Sequence, residues 1–272
     1  MIVDYHMHLR DERGDIAFTA DAAERFVERA AERGIDEVGF SEHVYYFRET
    51  RELWQVPYLA ERCVFDLEPY CDAVLETKAR GLPVKLGLEV DYVGERQARL
   101  AELLEPYPWD FLLGSVHWLG HVAVDMEPGV WAESTVEEVW ERYFGAVRKL
   151  AASGSVDVLA HLDLAKIFGR RPGPEVRSRL YEESADAIAS SGLAVEISTA
   201  GLRKPVGELY PAPELLAACV RRGIGVTLAS DAHEPGLVGE DFALALDAAH
   251  EAGCETVTVF EGRSGRLERL GS

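Results

Sequence analysis

Apolar residues recur along this chain with two alternating spacings, one of two residues and one of about 3.6 residues. The first spacing is typical of strands and the second of amphipathic helices. The amino-terminal apolar run predicts a strand, and the stretch from Asp21 to Gly34 predicts a helix that carries Phe26 and Val27 on one side. Glu24 follows Asp21 by three residues, which resembles a capping box at the helix start. The alternation predicts a parallel sheet covered by helices.

The same unit of helix and strand recurs to the end of the chain. Further helices are predicted near 66–80, 95–105, 136–152, 175–190, 213–222 and 239–252, and the strands "DEVGFSEH", "PVKLGLEV", "WDFLLGSVH", "VDVLAH", "LAVEIST", "IGVTLASDAH" and "TVTVF" lie between and after them. Seven or eight such units predict an α/β fold with a closed (β/α) barrel, and an open doubly wound sheet is the alternative. The long irregular stretch 45–65 is interpreted as a lid or pocket wall, with a packed surface insertion as the alternative.

Composition is consistent with one large α/β domain that spans residues 1–272. The chain has 272 residues and is 47% hydrophobic, which is enough to bury a full core. No apolar run suggests a membrane span, and the first residues look like a strand rather than a signal peptide, so we expect a cytoplasmic protein with no membrane partner. The four cysteines form no Cys-x-x-Cys pair and are interpreted as small core residues.

The charge balance disfavours nucleic acid as a partner. Acidic side chains outnumber basic ones by 48 to 28, and the formal net charge is −20. An evenly anionic surface repels phosphate backbones and acidic lipids. No feature of the sequence predicts an oligomeric state.

Polar side chains cluster where the predicted strands end. The residues at these ends are His6 and His8, Glu42 and His43, Glu89, His117, His161, and Asp231 and His233. They include six of the eight histidines of the chain, and the other two, His121 and His250, fall in a loop and a helix. Because the carboxyl ends of parallel strands converge on one face of a barrel, we expect these side chains to lie close together.

Such a set of side chains predicts a metal centre. Neutral imidazole and carboxylate suit zinc, iron or manganese, and there are more ligands than one ion needs, so two or three divalent ions are expected. A carboxylate such as Glu89 can bridge two of them, and paired ions are a common solution for the hydrolysis of phosphate esters. No Gly-rich loop follows the first strand, which disfavours a dinucleotide cofactor.

Several motifs resemble, in order and spacing, those of the PHP (polymerase and histidinol phosphatase) superfamily. These motifs are "DYHMH", "SEH", "GLEVDY", "GSVH", "DVLAHLDLAKIFG" and "SDAH", and the resemblance extends over nearly the entire chain. Together with "STAGLRKPVGELYPAPELL", they look most like the monofunctional histidinol-phosphate phosphatases. The resemblance implies a distorted (β/α)7 barrel, a trinuclear metal centre and hydrolysis of L-histidinol phosphate to histidinol and phosphate, with a hydroxide held between ions attacking phosphorus.

The resemblance also implies a ligand set. It assigns His6, His8, Glu89 and Asp231 to a first ion, Glu89, His117 and His161 to a second, and His43 and His233 to a third. The family commonly supplies another histidine in the loop after the first strand, where this chain has "LRDERGDIAFT". Asp15 is the closest positional substitute, and Asp11 and Glu12 are rivals.

The remaining assignments concern the substrate. Lys166, Arg203 and Lys204 are the expected phosphate-binding residues, because they follow strand ends in an otherwise anionic protein. Glu42 is expected near the substrate, where it orients a ligand or receives a proton. Asp231, His233 and Arg203 are the predicted catalytic residues. The stretch around Tyr45, Phe47 and Glu49 is expected to meet the cationic or polar end of the substrate.

Three other functions remain open from the sequence. The first is a PHP-type phosphoesterase that acts on another small phosphate ester. The second is an amidohydrolase, a class that also begins with His-x-His on a barrel strand but usually adds a lysine after the fourth strand, where this chain has "GSVH". The third is a non-catalytic regulator or polymerase-associated module, which the complete ligand set and the absence of a basic stretch disfavour.

Overall fold

A seven-stranded parallel sheet forms the centre of the computed structural model, which describes residues 1–10 and 18–271. The strands of the described chain are β1 (Val3–Asp4), β2 (Glu37–Phe40), β3 (Val84–Asp91), β4 (Phe111–Ser115), β5 (Trp118–Leu119), β6 (Val122–Ala123), β7 (Val158–Leu159), β8 (Ala194–Ser198), β9 (Val226–Ala229), β10 (Thr256–Glu261) and β11 (Ser264–Arg269). The sheet has the order β1-β2-β3-β4-β7-β8-β9.

The first and last strands of this sheet meet and close it into a barrel. The amide of Tyr5 donates to the carbonyl of Leu228 at 3.0 Å, and the amide of His8 donates to the carbonyl of Ala232 at 2.8 Å. Beyond the two residues of β1, Met7 forms a parallel bridge with Ala232. The predicted distorted (β/α)7 barrel is confirmed, and the open doubly wound alternative is wrong. The extent of the single domain, 1–272, stays a prediction.

Helices cover the barrel between the strands. They are α1 (Ala20–Glu32), α2 (Pro57–Arg62), α3 (Leu67–Ala79), α4 (Gln97–Leu104), α5 (Val136–Ala152), α6 (Pro174–Ser191), α7 (Pro213–Arg221) and α8 (Phe242–Glu251). The bounds of the seven predicted helices agree with the prediction to within about three residues, whereas α2 lies in the stretch 45–65, which the sequence predicts to be irregular. The predicted capping box at Asp21 is wrong, since Thr19 caps α1 by accepting a hydrogen bond from the Ala22 amide. A capping box does begin α5, between Thr135 and Glu138.

The last predicted strand does not join the barrel. The segment "TVTVF" belongs to β10, which pairs antiparallel with β11 in a separate two-stranded sheet. Because β1 and β9 already meet, the barrel offers no edge for an eighth strand. The hairpin packs instead on the barrel, where the ring of Phe260 lies 6.1 Å from Tyr5 and 6.2 Å from Phe111.

The core is continuous from the strands to the helices. All eight residues of β3 are buried, as is typical of parallel strands covered on both faces. The four cysteines, Cys63, Cys71, Cys219 and Cys254, are free and buried, which confirms the core interpretation. No helix in the described part of the chain is long and apolar enough to cross a bilayer.

Candidate metal centre

Six strands of the barrel bring the predicted ligands to one end of the molecule. His6 and His8 follow β1, His43 follows β2, Glu89 lies within β3, and His117, His161, Asp231 and His233 follow β4, β7 and β9. Residues two apart in an extended chain share a face, and both His6 and His8 do point to the same carboxylates. The structure thus brings together every predicted metal ligand among the described residues.

The carboxylate of Glu89 is the centre of this group. Its Oε2 atom lies 2.5 Å from Nδ1 of His43 and 3.5 Å from Nε2 of His6. Its Oε1 atom lies 3.2 Å from Nε2 of His161 and 3.5 Å from Nε2 of His117. One fully buried carboxylate therefore faces four imidazoles from four different strand ends, which is the arrangement a bridging ligand requires.

Asp231 supplies a second carboxylate, which faces His6 and His8. Its Oδ1 atom lies 3.3 Å from Nε2 of His8 and 3.8 Å from Nε2 of His6. The ring of His8 also stacks at 4.2 Å against both His43 and His233. Three overlapping sets of donor atoms result, each within 4.8 Å: His6, Glu89 and His161; His6, His8 and Asp231; and His8, His43 and His233.

The backbone turns sharply at two of these residues. His161 has a φ of 23° and Asp231 a φ of 53°, in the left-handed region that side chains other than glycine rarely adopt. At His161 the amide donates to Oε1 of Glu196 at 2.7 Å, which holds the unusual conformation. Strained backbone of this kind persists where the surroundings determine it, and it is concentrated at functional sites.

Carboxylates behind the centre orient two of the imidazoles. Nδ1 of His6 donates to Glu196 at 3.0 Å, and Nδ1 of His117 donates to Asp91 at 2.9 Å. Since an ionised carboxylate only accepts, a neutral imidazole in these contacts carries its proton on Nδ1 and turns the lone pair of Nε2 to the centre, as a metal ligand requires. Sequence reasoning missed both acids. Asp91 could have been found, because it shares a strand face with Glu89; Glu196 looked like part of an ordinary buried strand.

Glu42 has the same orienting role and does not face a substrate. It is fully buried, accepts from Nδ1 of His8 at 3.3 Å, and accepts from the amides of Arg10 at 3.0 Å and His43 at 3.1 Å. These contacts agree with the prediction that Glu42 orients a metal ligand, here His8. Its predicted place among the substrate-binding residues is corrected, because its carboxylate is surrounded by protein donors.

The electrostatics keep the central carboxylate ionised and a neighbouring imidazole neutral. Burial alone would raise the pKa of Glu89, but His43, His117 and His6 lower this pKa well below its usual range. Burial lowers the pKa of His43 to about 3 despite its contact with Glu89. An ionised carboxylate and a neutral imidazole are the forms that bind metal ions.

The donor set fits a group of divalent cations. Nε2 of His6, Nε2 of His8, Nδ1 of His43 and Oε2 of Glu89 are all buried and have no hydrogen-bond partner among the described residues. Buried polar atoms without partners are costly and rare. Cations between these atoms would satisfy them, and imidazole with carboxylate suits zinc, iron and manganese.

Comparison with known proteins identifies the family. A sequence profile of the PHP domain matches residues 4–200. The chain belongs to the PHP family. The probable histidinol-phosphatase of Deinococcus radiodurans is 36% identical over 241 residues, which cover 86% of this PHP chain and 88% of that relative. The histidinol-phosphatase of Bacillus subtilis is 26% identical over 254 residues, which cover 84% and 92% of the two chains.

Solved structures of PHP proteins have the same fold. The histidinol phosphate phosphatase of Lactococcus lactis, determined in complex with zinc, L-histidinol and phosphate, superposes with a TM-score of 0.75 at 23% identity and covers 97% of this chain and 98% of its own. A putative histidinol phosphatase from Listeria monocytogenes also gives a TM-score of 0.75, at 20% identity, and covers 89% and 99% of the two chains. This likeness establishes the barrel architecture of the PHP domain.

The predicted cationic residues have different environments in this PHP domain. Arg203 lies beside the centre, where its Nη2 atom donates to the carbonyl of Ser230 at 2.5 Å. Lys204 is exposed, and its role stays a prediction. Lys166 is fully buried: its ammonium donates to the carbonyl of Leu209 at 2.7 Å and pairs with Asp163 at 3.0 Å. The interpretation of Lys166 as a phosphate ligand is corrected, since it neutralises an interior carboxylate.

Two other sequence predictions meet different outcomes. Asp15, with its rivals Asp11 and Glu12, lies outside the described residues, so the loop ligand stays a prediction. The segment 45–65 forms short helices and serves as a pocket wall, in which Tyr45 stacks on His43 at 4.7 Å. The expectation for Phe47 and Glu49 is wrong. Phe47 is buried in the core, and the carboxylate of Glu49 accepts a hydrogen bond from the Leu67 amide. Neither residue lines the pocket that Tyr45 and His43 share.

Proposed function

We propose that this PHP protein is a metal-dependent phosphomonoesterase that hydrolyses L-histidinol phosphate to L-histidinol and phosphate. The observation that carries the proposal is the group of imidazoles around Glu89, whose buried donor atoms lack partners. Curated relatives named as histidinol-phosphatases support the choice of substrate, and the first of them is 36% identical over most of both chains.

The ligands of the proposed ions are the residues already described. His6, His8, Glu89, His117, His161, Asp231, His43 and His233 would hold two or three ions of zinc, iron or manganese, with Asp15 as a further proposed ligand. Bound divalent ions would neutralise charge on the phosphoryl oxygens and activate water for attack on phosphorus. The overlap of the three donor sets through His6 and His8 agrees with ions that share ligands.

The protein's own task is to position the ester beside these ions. His233 lines a cavity over the centre, Asp231 lies two residues before it, and Arg203 contacts the same strand end through the carbonyl of Ser230. The Nη1 atom of Arg203 has no hydrogen-bond partner among the described residues, and its ion-pair distance to Glu240 is 3.5 Å. A guanidinium can bind two oxygens of one phosphate. We therefore assign Arg203 to phosphate binding and to stabilising charge in the transition state.

Hydrolysis by the purified, metal-loaded protein tests this function. Phosphate release should be measured with L-histidinol phosphate, a plain alkyl phosphate and a sugar phosphate, and kcat/KM should be highest for L-histidinol phosphate. Glu89→Gln should lose activity and bound metal together, because its carboxylate faces four imidazoles. Release from none of the esters, or equal efficiency with all three, would contradict the proposal.

A further inference from the structure

A cavity of about 270 Å³ opens over His43, His117 and His233 at the carboxyl ends of the strands. Its walls come from the segment 45–62 and from the chain that follows β4. The first contributes the ring of Tyr45, and the second contributes Asp125. This cavity adjoins the metal centre and has room for the remaining atoms of a substrate whose phosphate lies there.

The charged side chains that line the cavity differ in their contacts with other described residues. Its two arginines, Arg10 and Arg62, each lie 4.1 Å from the centre of a tyrosine ring. Asp125 is the only acidic side chain among the described residues that line the cavity, and within the same described residues its carboxylate makes no hydrogen bond or ion pair. Glu127, two residues later, pairs with Arg170 instead. Among the residues that the structure describes, the carboxylate of Asp125 therefore has no partner in this cavity.

Asp125 lies close to both the centre and an aromatic face. Asp125 lines the same cavity as the proposed metal ligand His117 and the ring of Tyr45. The ring of Tyr45 in turn stacks on His43. A ligand group between Asp125 and Tyr45 would therefore meet a negative charge and an aromatic ring, the two features that bind cations.

We propose that Asp125 determines specificity by binding the ammonium group of an aminoalkyl phosphate whose phosphate lies at the metal centre. This inference rests on the proposed function and goes further, because it names the protein group that distinguishes such substrates. The carboxylate accepts charge-assisted hydrogen bonds from the ammonium, and the ring of Tyr45 lies against the cation. An ester with a carboxylate or an uncharged group at that position leaves Asp125 unpaired or repelled, so it binds more weakly.

The test compares two substrates in two proteins. Wild type and Asp125→Asn, both metal-loaded, are assayed with L-histidinol phosphate and with the analogue that lacks only its amino group. Asp125→Asn should lower kcat/KM for L-histidinol phosphate at least about tenfold, chiefly through KM, and should change the value for the analogue less than about twofold. Calorimetry of L-histidinol binding should show a comparable loss of affinity.

Glu127→Gln is the matched control, since it removes one charge from the same loop outside the cavity. It should behave as wild type, and elemental analysis should find the same metal content in all three proteins. An equal loss on both substrates, or no loss on either, would overturn the assignment of Asp125 while the phosphatase activity of wild type stands. If wild type itself hydrolyses neither ester, the proposed function fails first.

Discussion

At the scale of single residues, Arg203 combines a fixed position with a guanidinium nitrogen whose one described polar contact is the ion pair with Glu240 at 3.5 Å. One nitrogen of its guanidinium is held by the carbonyl of Ser230, the residue before Asp231, and Nη1 has no hydrogen-bond partner in the described chain. A guanidinium that is already anchored loses little freedom when it binds a phosphate. We therefore expect this residue to affect turnover rather than metal binding.

Arg203→Ala should lower kcat/KM for L-histidinol phosphate at least about tenfold, because a charge-assisted hydrogen bond contributes about 1.5–3 kcal/mol. Arg203→Lys should recover only part of the loss, since an ammonium is a point charge. Metal content should not change. Arg221→Ala, which removes an exposed guanidinium on α7, is the control. Normal kinetics of Arg203→Ala would exclude the proposed role.

At the scale of elements, β3 and β4 are packed so closely that a glycine is required. Gly87 pairs with Phe111 across the two strands, and a Cβ atom on Gly87 would lie 2.3 Å from Cζ of the Phe111 ring. Glu89 lies two residues later on the same face of β3. The packing of this ring therefore also fixes the strand that carries the central carboxylate.

Gly87→Ala should destabilise the protein by about 1–3 kcal/mol, because the new methyl group overlaps a packed aromatic ring. Chemical denaturation followed by circular dichroism measures the free energy of unfolding. Gly145→Ala, in α5 with open space around its Cα atom, should be neutral or slightly stabilising. A second substitution, Phe111→Leu, should relieve part of the loss in Gly87→Ala. Equal stability of the two alanine variants would refute the packing argument.

At the scale of the whole molecule, the proposed ions link strand ends that are far apart in the sequence. Their ligands range from His6 to His233, so almost the full chain must fold before the centre exists. A cation that binds only the folded state stabilises that state by mass action. Glu89 and Asp231 place two carboxylates close together in a protein whose net charge is −20. Their mutual repulsion favours the binding of cations between them.

Removal of metal by chelation and dialysis should abolish phosphate release and lower the melting temperature by several degrees, since binding energy is lost from the folded state only. Addition of zinc or manganese should restore both properties. Glu89→Gln should show a smaller thermal response to added metal than wild type. A preparation that elemental analysis finds free of metal but that keeps full activity and an unchanged melting temperature would contradict the proposal.

The sequence by itself determined the barrel and most of the candidate centre, because both follow from local periodicity. Alternation of apolar strands with amphipathic helices implies a parallel sheet, and the carboxyl ends of parallel strands share one face. Residues such as Glu89 and His117 could therefore be assigned to one site without a structure. The number of barrel strands needed the structure, because only the contact between β1 and β9 excludes β10 from the sheet.

Only the tertiary structure decided what surrounds the centre, because loop paths and packing are not periodic. Lys166 follows a strand end as a ligand would, but it turns inward to Asp163. Glu196 lies in an ordinary apolar strand, but it holds both His6 and the backbone of His161. Asp125 follows the short hairpin of β5 and β6, where no sequence pattern distinguishes it, and the fold of the loop places it in the wall of the cavity. Side-chain type and strand position determine which groups converge, whereas the packed loops decide which of them a substrate can reach.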